Sequence, residues 1–168
     1  PDARLAVVLA AIRDPGNAGT VVRTADAAGA DIVAFSDTSV DPYNGKCVRA
    51  SAGSLFHLPI VIGVSVARAI SALRESGFQV LAADGAAAVD LDDLDRAGEL
   101  GRATAWVFGN EAWGLPTEVI GAADRSVRVP IHGRAESLNL AAAAAVCLYA
   151  SARAQRSAPP DPLDRRLV

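Results

Sequence analysis

Short apolar runs alternate with amphipathic stretches along this chain, and polar breakers separate them. Leu5 to Ala11 is an unbroken apolar run, as in a strand buried on both faces. Arg13-Asp14-Pro15-Gly16-Asn17 interrupts it. Asn17 is placed to cap a helix that runs to Gly29, with Val21, Val22, Ala25 and Ala28 facing inward. Asp31 to Ser36 reads as a second strand, and a polar loop leads to a short helix over Lys46 to Ala52. Leu58 to Ile62 is a third strand, Val66 to Arg74 an amphipathic helix stopped by Gly77, and Phe78 to Ala83 a fourth strand. Asp84 to Arg102 is acidic and irregular, with a short helix near Leu91 to Ala97. Thr104 to Phe108 is a fifth strand, and Pro116 opens a helix to about Ala123. Ser126 to Val129 is a sixth. The last helix follows, with Ser137 at the cap position and Leu138, Ala141, Ala142, Ala145, Leu148, Tyr149 and Ala152 at helical spacing.

Strands alternating with helices in this way predict an α/β fold, a parallel sheet with helices on both faces. The polar residues collect in three places. These are Asp14 to Arg23, Phe108 to Leu115, and the loop from Val129 to Asn139. The first two directly follow strands, so they are expected to share the carboxyl edge of the sheet, where open α/β proteins bind ligands.

Composition narrows the function. The 168 residues, 51% hydrophobic, suit one domain with a full core. The net charge of −3 gives no general nucleic-acid footprint, although 16 basic residues leave room for a local patch. Cys47 and Cys147 form no CxxC, which points to a reducing, cytoplasmic setting and to no metal. No secretory signal or membrane-length apolar run is visible. GxGxxG, GxxxxGK[ST] and Gly-x-Ser-x-Gly are all absent, which argues against dinucleotide enzymes, NTPases and α/β-hydrolases.

Taken in order and with their spacing, the three clusters resemble the three motifs of the SpoU (TrmH) family of RNA 2′-O-ribose methyltransferases, in the SPOUT superfamily. Asn17, Gly19 and Arg23 with Thr24-Ala25 carry the first motif. Gly109, Asn110, Glu111, Gly114 and Leu115 carry the second, and Pro130, Ser137, Leu138 and Asn139 the third. Asp41 to Gly53 resembles the family's rRNA-modifying branch, and the resemblance runs from about Leu5 to Ala152.

The resemblance implies a C-terminal trefoil knot, a catalytic domain over residues 4–154 and a flexible tail over 155–168. It implies S-adenosylmethionine as cofactor, an active site at a homodimer interface, and methylation of a ribose 2′-OH in RNA, with 23S rRNA favoured. A tRNA ribose methyltransferase and a non-catalytic cofactor- or RNA-binding module are the alternatives. The implied catalytic residues are Asn17, Arg23, Glu111, Ser137 and Asn139. The implied cofactor contacts are Phe108, Gly109, Asn110, Gly114, Leu115, Val129, Pro130, Ile131 and Leu138. Arg13, Arg49, Ser51 and Arg134 are the RNA-contact candidates. Many members carry a separate N-terminal RNA-binding domain, which is expected to lie outside this chain.

Plainer roles compete. Asn17 and Ser137 would serve as caps, Arg23 as a solvated helix arginine and Glu111 as a loop carboxylate. Trp113 reads as a packed aromatic rather than a base-stacking platform. His57 and His132 read as structural.

Overall fold

The computed structural model describes residues 3–157. Seven strands form one parallel sheet: β1 (Leu5–Leu9), β2 (Ile32–Ser36), β3 (Ile60–Val64), β4 (Gln79–Ala83), β5 (Val89–Asp90), β6 (Thr104–Phe108) and β7 (Arg125–Arg128). Their order across the sheet is β3-β2-β1-β6-β4-β7-β5. Among the described residues six α-helices accompany them: α1 (Pro15–Ala28), α2 (Gly45–Ser51), α3 (Val66–Glu75), α4 (Leu91–Arg96), α5 (Thr117–Ala122) and α6 (Leu140–Ser157). The α/β class and the parallel sheet agree with the sequence reading. The additional strand is β5, two residues inside the acidic segment, which pairs with β7 through Val89–Val127 and Asp90–Arg128. So short an edge piece leaves no period to detect.

Side chains alternate across the sheet and build two cores. One face carries Leu5, Val7, Leu9, Val33, Phe35, Leu81, Trp106 and Phe108 beneath α1, α2, α4 and α6. The other carries Ala6, Val8, Ala34, Val80, Ala82, Ala105 and Val107 against α3 and α5. Both faces are covered, which is why the strands read as continuous apolar runs.

Three helix boundaries differ from the sequence reading. The N-cap of α1 is Asp14, whose side chain accepts from the Asn17 N–H at 2.8 Å; Asn17 is thereby inside the first turn. Pro116 caps α5 rather than opening it. In α6 the cap is Asn139, whose Oδ1 accepts from the Ala141 N–H at 2.8 Å, and Ser137 lies in the preceding loop. The buried stripe of α6 is Ala144, Cys147, Leu148, Ser151 and Ala152, whereas Ala142 and Tyr149 face solvent. An alanine run offers little contrast between faces, and the inward Ser151 disguises the true one. Its hydroxyl receives the buried Trp106 indole N–H at 2.9 Å. The helix continues through Ser157, so residues 155–157 of the expected tail are helical, with Gln155 bonded to the carbonyls of Arg4 and Arg102. The remainder of that tail lies outside the described residues.

Candidate active site

The chain leaves the middle of the sheet in opposite directions. After β1 it passes through α1 to β2 on one side; after neighbouring β6 it passes through α5 to β7 on the other. Such a switch point opens a crevice at the carboxyl ends of the two strands. The first two polar clusters begin there, as their positions after strands require.

A buried amide fixes the two loops to each other. Asn110 is 4% exposed; its Nδ2 donates to the Ala11 carbonyl at 2.7 Å and its Oδ1 accepts from the Ala112 N–H at 2.8 Å. Asn110 and Gly114 also exchange backbone bonds, N–H to O at 3.0 and 2.9 Å, which close the β6–α5 loop into a tight ring. Gly109 is needed for this closure, because a Cβ there would sit 2.4 Å from the Gly114 carbonyl carbon. Ala11, with φ of 56°, donates its N–H to the Ser36 hydroxyl at 2.9 Å, and the Ser39 hydroxyl takes the Ile12 N–H at 3.1 Å.

From this ring Glu111 reaches across to the start of α1. Its carboxylate accepts from the Arg13 N–H at 3.4 Å, the Asp14 N–H at 3.3 Å and Asn17 Nδ2 at 3.4 Å. Asn17 Oδ1 in turn accepts from Asn139 Nδ2 at 3.2 Å, and Asn139 caps α6. One polar chain, Glu111–Asn17–Asn139, therefore joins residues 94 and 122 positions apart in sequence and connects all three clusters. The carboxylate can only accept, so it fixes which end of the Asn17 amide faces it and which end faces Asn139.

Beside this chain lies a cavity of about 920 Å³. Phe108, Gly109, Asn110, Gly114, Val129, Pro130, Ile131 and Leu138 line it, together with Glu111, Ser137 and Asn139. Asp84, Gly85, Asp90, Arg128 and Glu136 also line it and were not singled out from sequence, and His132, read there as structural, is in its wall as well. Asp90 and Arg128 are joined by two bonds, at 2.6 and 3.1 Å, and the Arg128 guanidinium holds the Asp90 carboxyl below its ordinary range. The missing signal was β5, the two-residue strand that carries Asp90 to the cavity. No hydrogen bond within the protein engages the loop from Pro130 to Leu138 among the described residues. Its backbone donors and acceptors are left for solvent or a ligand.

Some expected residues lie elsewhere. Leu115 packs into the α3/α5 core and does not line the cavity. Ser51 is fully buried and its hydroxyl donates to the Val48 carbonyl at 2.8 Å, so it cannot touch RNA. It belongs to the seam where α2 crosses α1 at Gly19, and a Cβ added to that glycine would meet the Cys47 carbonyl at 2.4 Å. Arg23 is exposed on α1 and joins neither the polar chain nor the cavity wall. It lies six positions beyond Asn17, about 9 Å along the axis and two-thirds of a turn around it. Arg13, Arg49 and Arg134 are exposed. Trp113, expected to be packed, is 63% exposed, because the ring closed by Asn110 and Gly114 turns it outward. His57 pairs with Asp26 at 2.9 Å, away from the cavity. Burial pushes the Cys47 thiol up to about 11 and that of Cys147 to about 12, which removes both as nucleophiles. Among the described residues no cluster of His, Cys, Asp and Glu is arranged for a metal, and no helix is long and apolar enough to cross a membrane.

Comparison with known proteins agrees with this arrangement. The chain is 35% identical over 147 residues to 23S rRNA (guanosine(2553)-2′-O)-methyltransferase RlmP of Bacillus subtilis, covering 88% of this chain and 57% of that protein. It is 34% identical over 150 residues to 23S rRNA (guanosine-2′-O-)-methyltransferase RlmB of Bordetella pertussis, covering 89% and 59%. The chain thus spans less than two-thirds of the length of these relatives. The crystal structure of the SpoU methyltransferase AviRb from Streptomyces viridochromogenes in complex with AdoMet superposes with a TM-score of 0.83 at 34% identity, covering 94% of this chain and 63% of that one. Residues 4–149 match the description of a whole family, and on that match this chain belongs to the SpoU rRNA Methylase family.

Proposed function

We propose that this chain is the catalytic part, residues 4–154, of an S-adenosylmethionine-dependent RNA 2′-O-ribose methyltransferase acting on 23S rRNA. One observation carries the reading: the Glu111–Asn17–Asn139 chain ties the three motifs together on the rim of a cavity large enough for a cofactor. The names of the relatives support rRNA as the acceptor. The family's trefoil knot would thread the loop Pro130–Glu136 and α6 so that the loop wraps the ligand.

The residues present fit the cofactor. Phe108, Ile131 and Leu138 supply apolar walls for a flat base, and the unpaired backbone of Pro130 to Leu138 supplies donors and acceptors. When bound, S-adenosylmethionine supplies an activated methyl group. The protein's task is then to align the attacking 2′-OH with the methyl carbon, while the hydroxyl proton leaves to an RNA phosphate or to water. Asn17 and Asn139, each held through its amide, orient the ribose, and Glu111 fixes Asn17. Arg23 stabilises the developing alkoxide, a guanidinium having N–H donors but no acceptor with which to take the proton. Because Arg23 lies off the polar chain of its own subunit, it serves the site of a second copy in a homodimer. The exposed Ala142 and the half-exposed Tyr149 on α6 offer an apolar face for that contact.

The test is calorimetry with S-adenosylhomocysteine, then transfer of radiolabelled methyl groups to rRNA and to tRNA, with the modified ribose mapped. Saturable binding and transfer to rRNA are expected. Transfer to tRNA alone would move the substrate, and binding without transfer to either would favour a non-catalytic module.

A further inference from the structure

The outward position of Trp113 has a structural cause. The β6–α5 loop is closed and tethered: Asn110 anchors it to Ala11, the paired bonds to Gly114 close it, and Glu111 bonds to the backbone of Arg13 and Asp14. A large apolar ring on a mobile loop would fold back onto the surface; here the loop holds it in solvent at 63% exposure. The other tryptophan, Trp106, is fully buried and hydrogen-bonded to Ser151, as an indole without a ligand role usually is.

The Trp113 loop is joined to a segment that carries an exposed arginine. Glu111, two residues before Trp113, touches the backbone of Arg13, which is itself exposed. Along the same carboxyl edge the loop after β2 and the start of α2 present the exposed Tyr43 and Arg49, while Lys46 is paired with Asp14. Aromatic faces interleaved with cations are what unpaired RNA requires, with bases stacked on rings and phosphates held by charge.

We propose that Trp113 is a stacking platform for one unpaired RNA base, with the exposed Arg13, joined through its backbone to Glu111 of the same loop, taking the adjoining phosphate. The assignment rests on the RNA-methyltransferase reading and adds to it that the target strand is presented single-stranded at this edge. Stacking is tolerant of base identity, so a generic probe suffices.

The probes are a labelled adenosine RNA dodecamer and the matching abasic ribose-phosphate dodecamer, titrated at low salt into the wild-type chain, Trp113→Ala and Trp113→Phe. The wild type should bind the adenosine strand about tenfold more tightly than Trp113→Ala, within the range for loss of one stacked base, and Trp113→Phe should lie between them. The abasic strand should bind all three alike. Quenching of the exposed indole should accompany only the adenosine strand, since Trp106 is shielded. Equal binding of adenosine RNA by wild type and Trp113→Ala would overturn the assignment, as would equal quenching by the abasic strand. Loss of a dimer in light scattering of Trp113→Ala would overturn it too, because the ring would then cover a second copy. If the stacking contrast holds while S-adenosylhomocysteine fails to bind the wild type, the cofactor reading fails and the base platform stands.

Discussion

Gly109→Ala separates two reasons for having a glycine at the mouth of the cavity. If the residue is small to admit an adenine, a methyl group there should weaken cofactor binding and leave the fold alone. The geometry argues otherwise. The added Cβ would lie 2.4 Å from the Gly114 carbonyl carbon, 2.5 Å from its oxygen and 2.7 Å from the Leu115 nitrogen. All three are backbone atoms, and relief to ordinary contact means a shift of about 1 Å in a ring closed by the Asn110–Gly114 bonds. Overpacking of this kind costs about 1–3 kcal/mol, and losing one backbone hydrogen bond adds about 1 kcal/mol. For a chain of this size a loss of about 3 kcal/mol lowers Tm by roughly 6–12 °C. Gly85 provides the control. It lines the same cavity, yet a Cβ there meets nothing within 4 Å. Gly85→Ala should melt with the wild type, and any weakening of S-adenosylhomocysteine binding would then report occupancy of the cavity alone. Thermal melts and calorimetry on the pair decide the matter. A Gly109→Ala protein that melts within about 1 °C of wild type would refute the closure argument, on that same scale.

Gly19→Ala should lower stability by about 1–3 kcal/mol, read from the urea midpoint, because its Cβ meets the Cys47 carbonyl and Ala50 where α1 crosses α2. The Asp14 carboxyl is held below its ordinary value by the Asn17 N–H first and then by Lys46, so its contribution is present above the unfolded value of about 3.9 and is lost as pH falls through the folded one. Asp14→Ala should therefore cost about 1 kcal/mol at neutral pH, with a difference from wild type that narrows below about pH 4; equal differences in melts at pH 7 and pH 3 would contradict the cap. Arg23→Ala and Asn139→Ala should each be nearly inactive in methyl transfer, while their equimolar mixture after subunit exchange should regain about a quarter of wild-type activity, the share of sites intact in a random dimer. A mixture no better than its parts would place Arg23 in the site of its own subunit.

Much of the fold was legible because a parallel sheet covered on both faces writes continuous apolar runs, and β1, β2, β4 and β6 each produced one. The edges were less legible. β5 is two residues long, and β3, exposed at Val61 and Ile62, begins and ends two residues later than its apolar run suggests. Alanine blurred the register of α6, where a serine rather than an alanine faces the buried tryptophan. In the site, the adjacency of the first two clusters was readable from their positions after strands. The contact of Asn17 with Asn139, 122 residues away, was not, since it depends on where α6 begins. Ser51 misled because an rRNA-branch motif and a helix-crossing seam share the same small residues, and only burial tells them apart. Trp113 misled in the opposite sense: an aromatic in a loop is usually packed, and its exposure here depends on a ring closure that no local pattern announces.

The distribution of charge over α1 bears on how the proposed reaction is completed. The N-terminal end of the helix points at the crevice, and its donors are taken by Asp14 and Glu111, two carboxylates at a positive helix terminus. Asn17 is thereby neutral but polarised, and its amide is locked between an obligate acceptor and the Asn139 donor. Lys46 reaches this end but is already paired with Asp14 at 3.1 Å, and Arg13 joins the polar chain only through its backbone. The cation within the helix is Arg23, displaced by more than a turn and facing solvent. A single subunit therefore holds a rigid set of neutral and acidic orienting groups at one place and an exposed guanidinium at another. The proposed twofold partner would reconcile the two, because in an isologous contact the surface that offers Arg23 also receives it. On the proposed arrangement catalysis depends on assembly: a monomer would keep the cofactor cavity intact and bind S-adenosylhomocysteine, yet lack the charge needed for transfer.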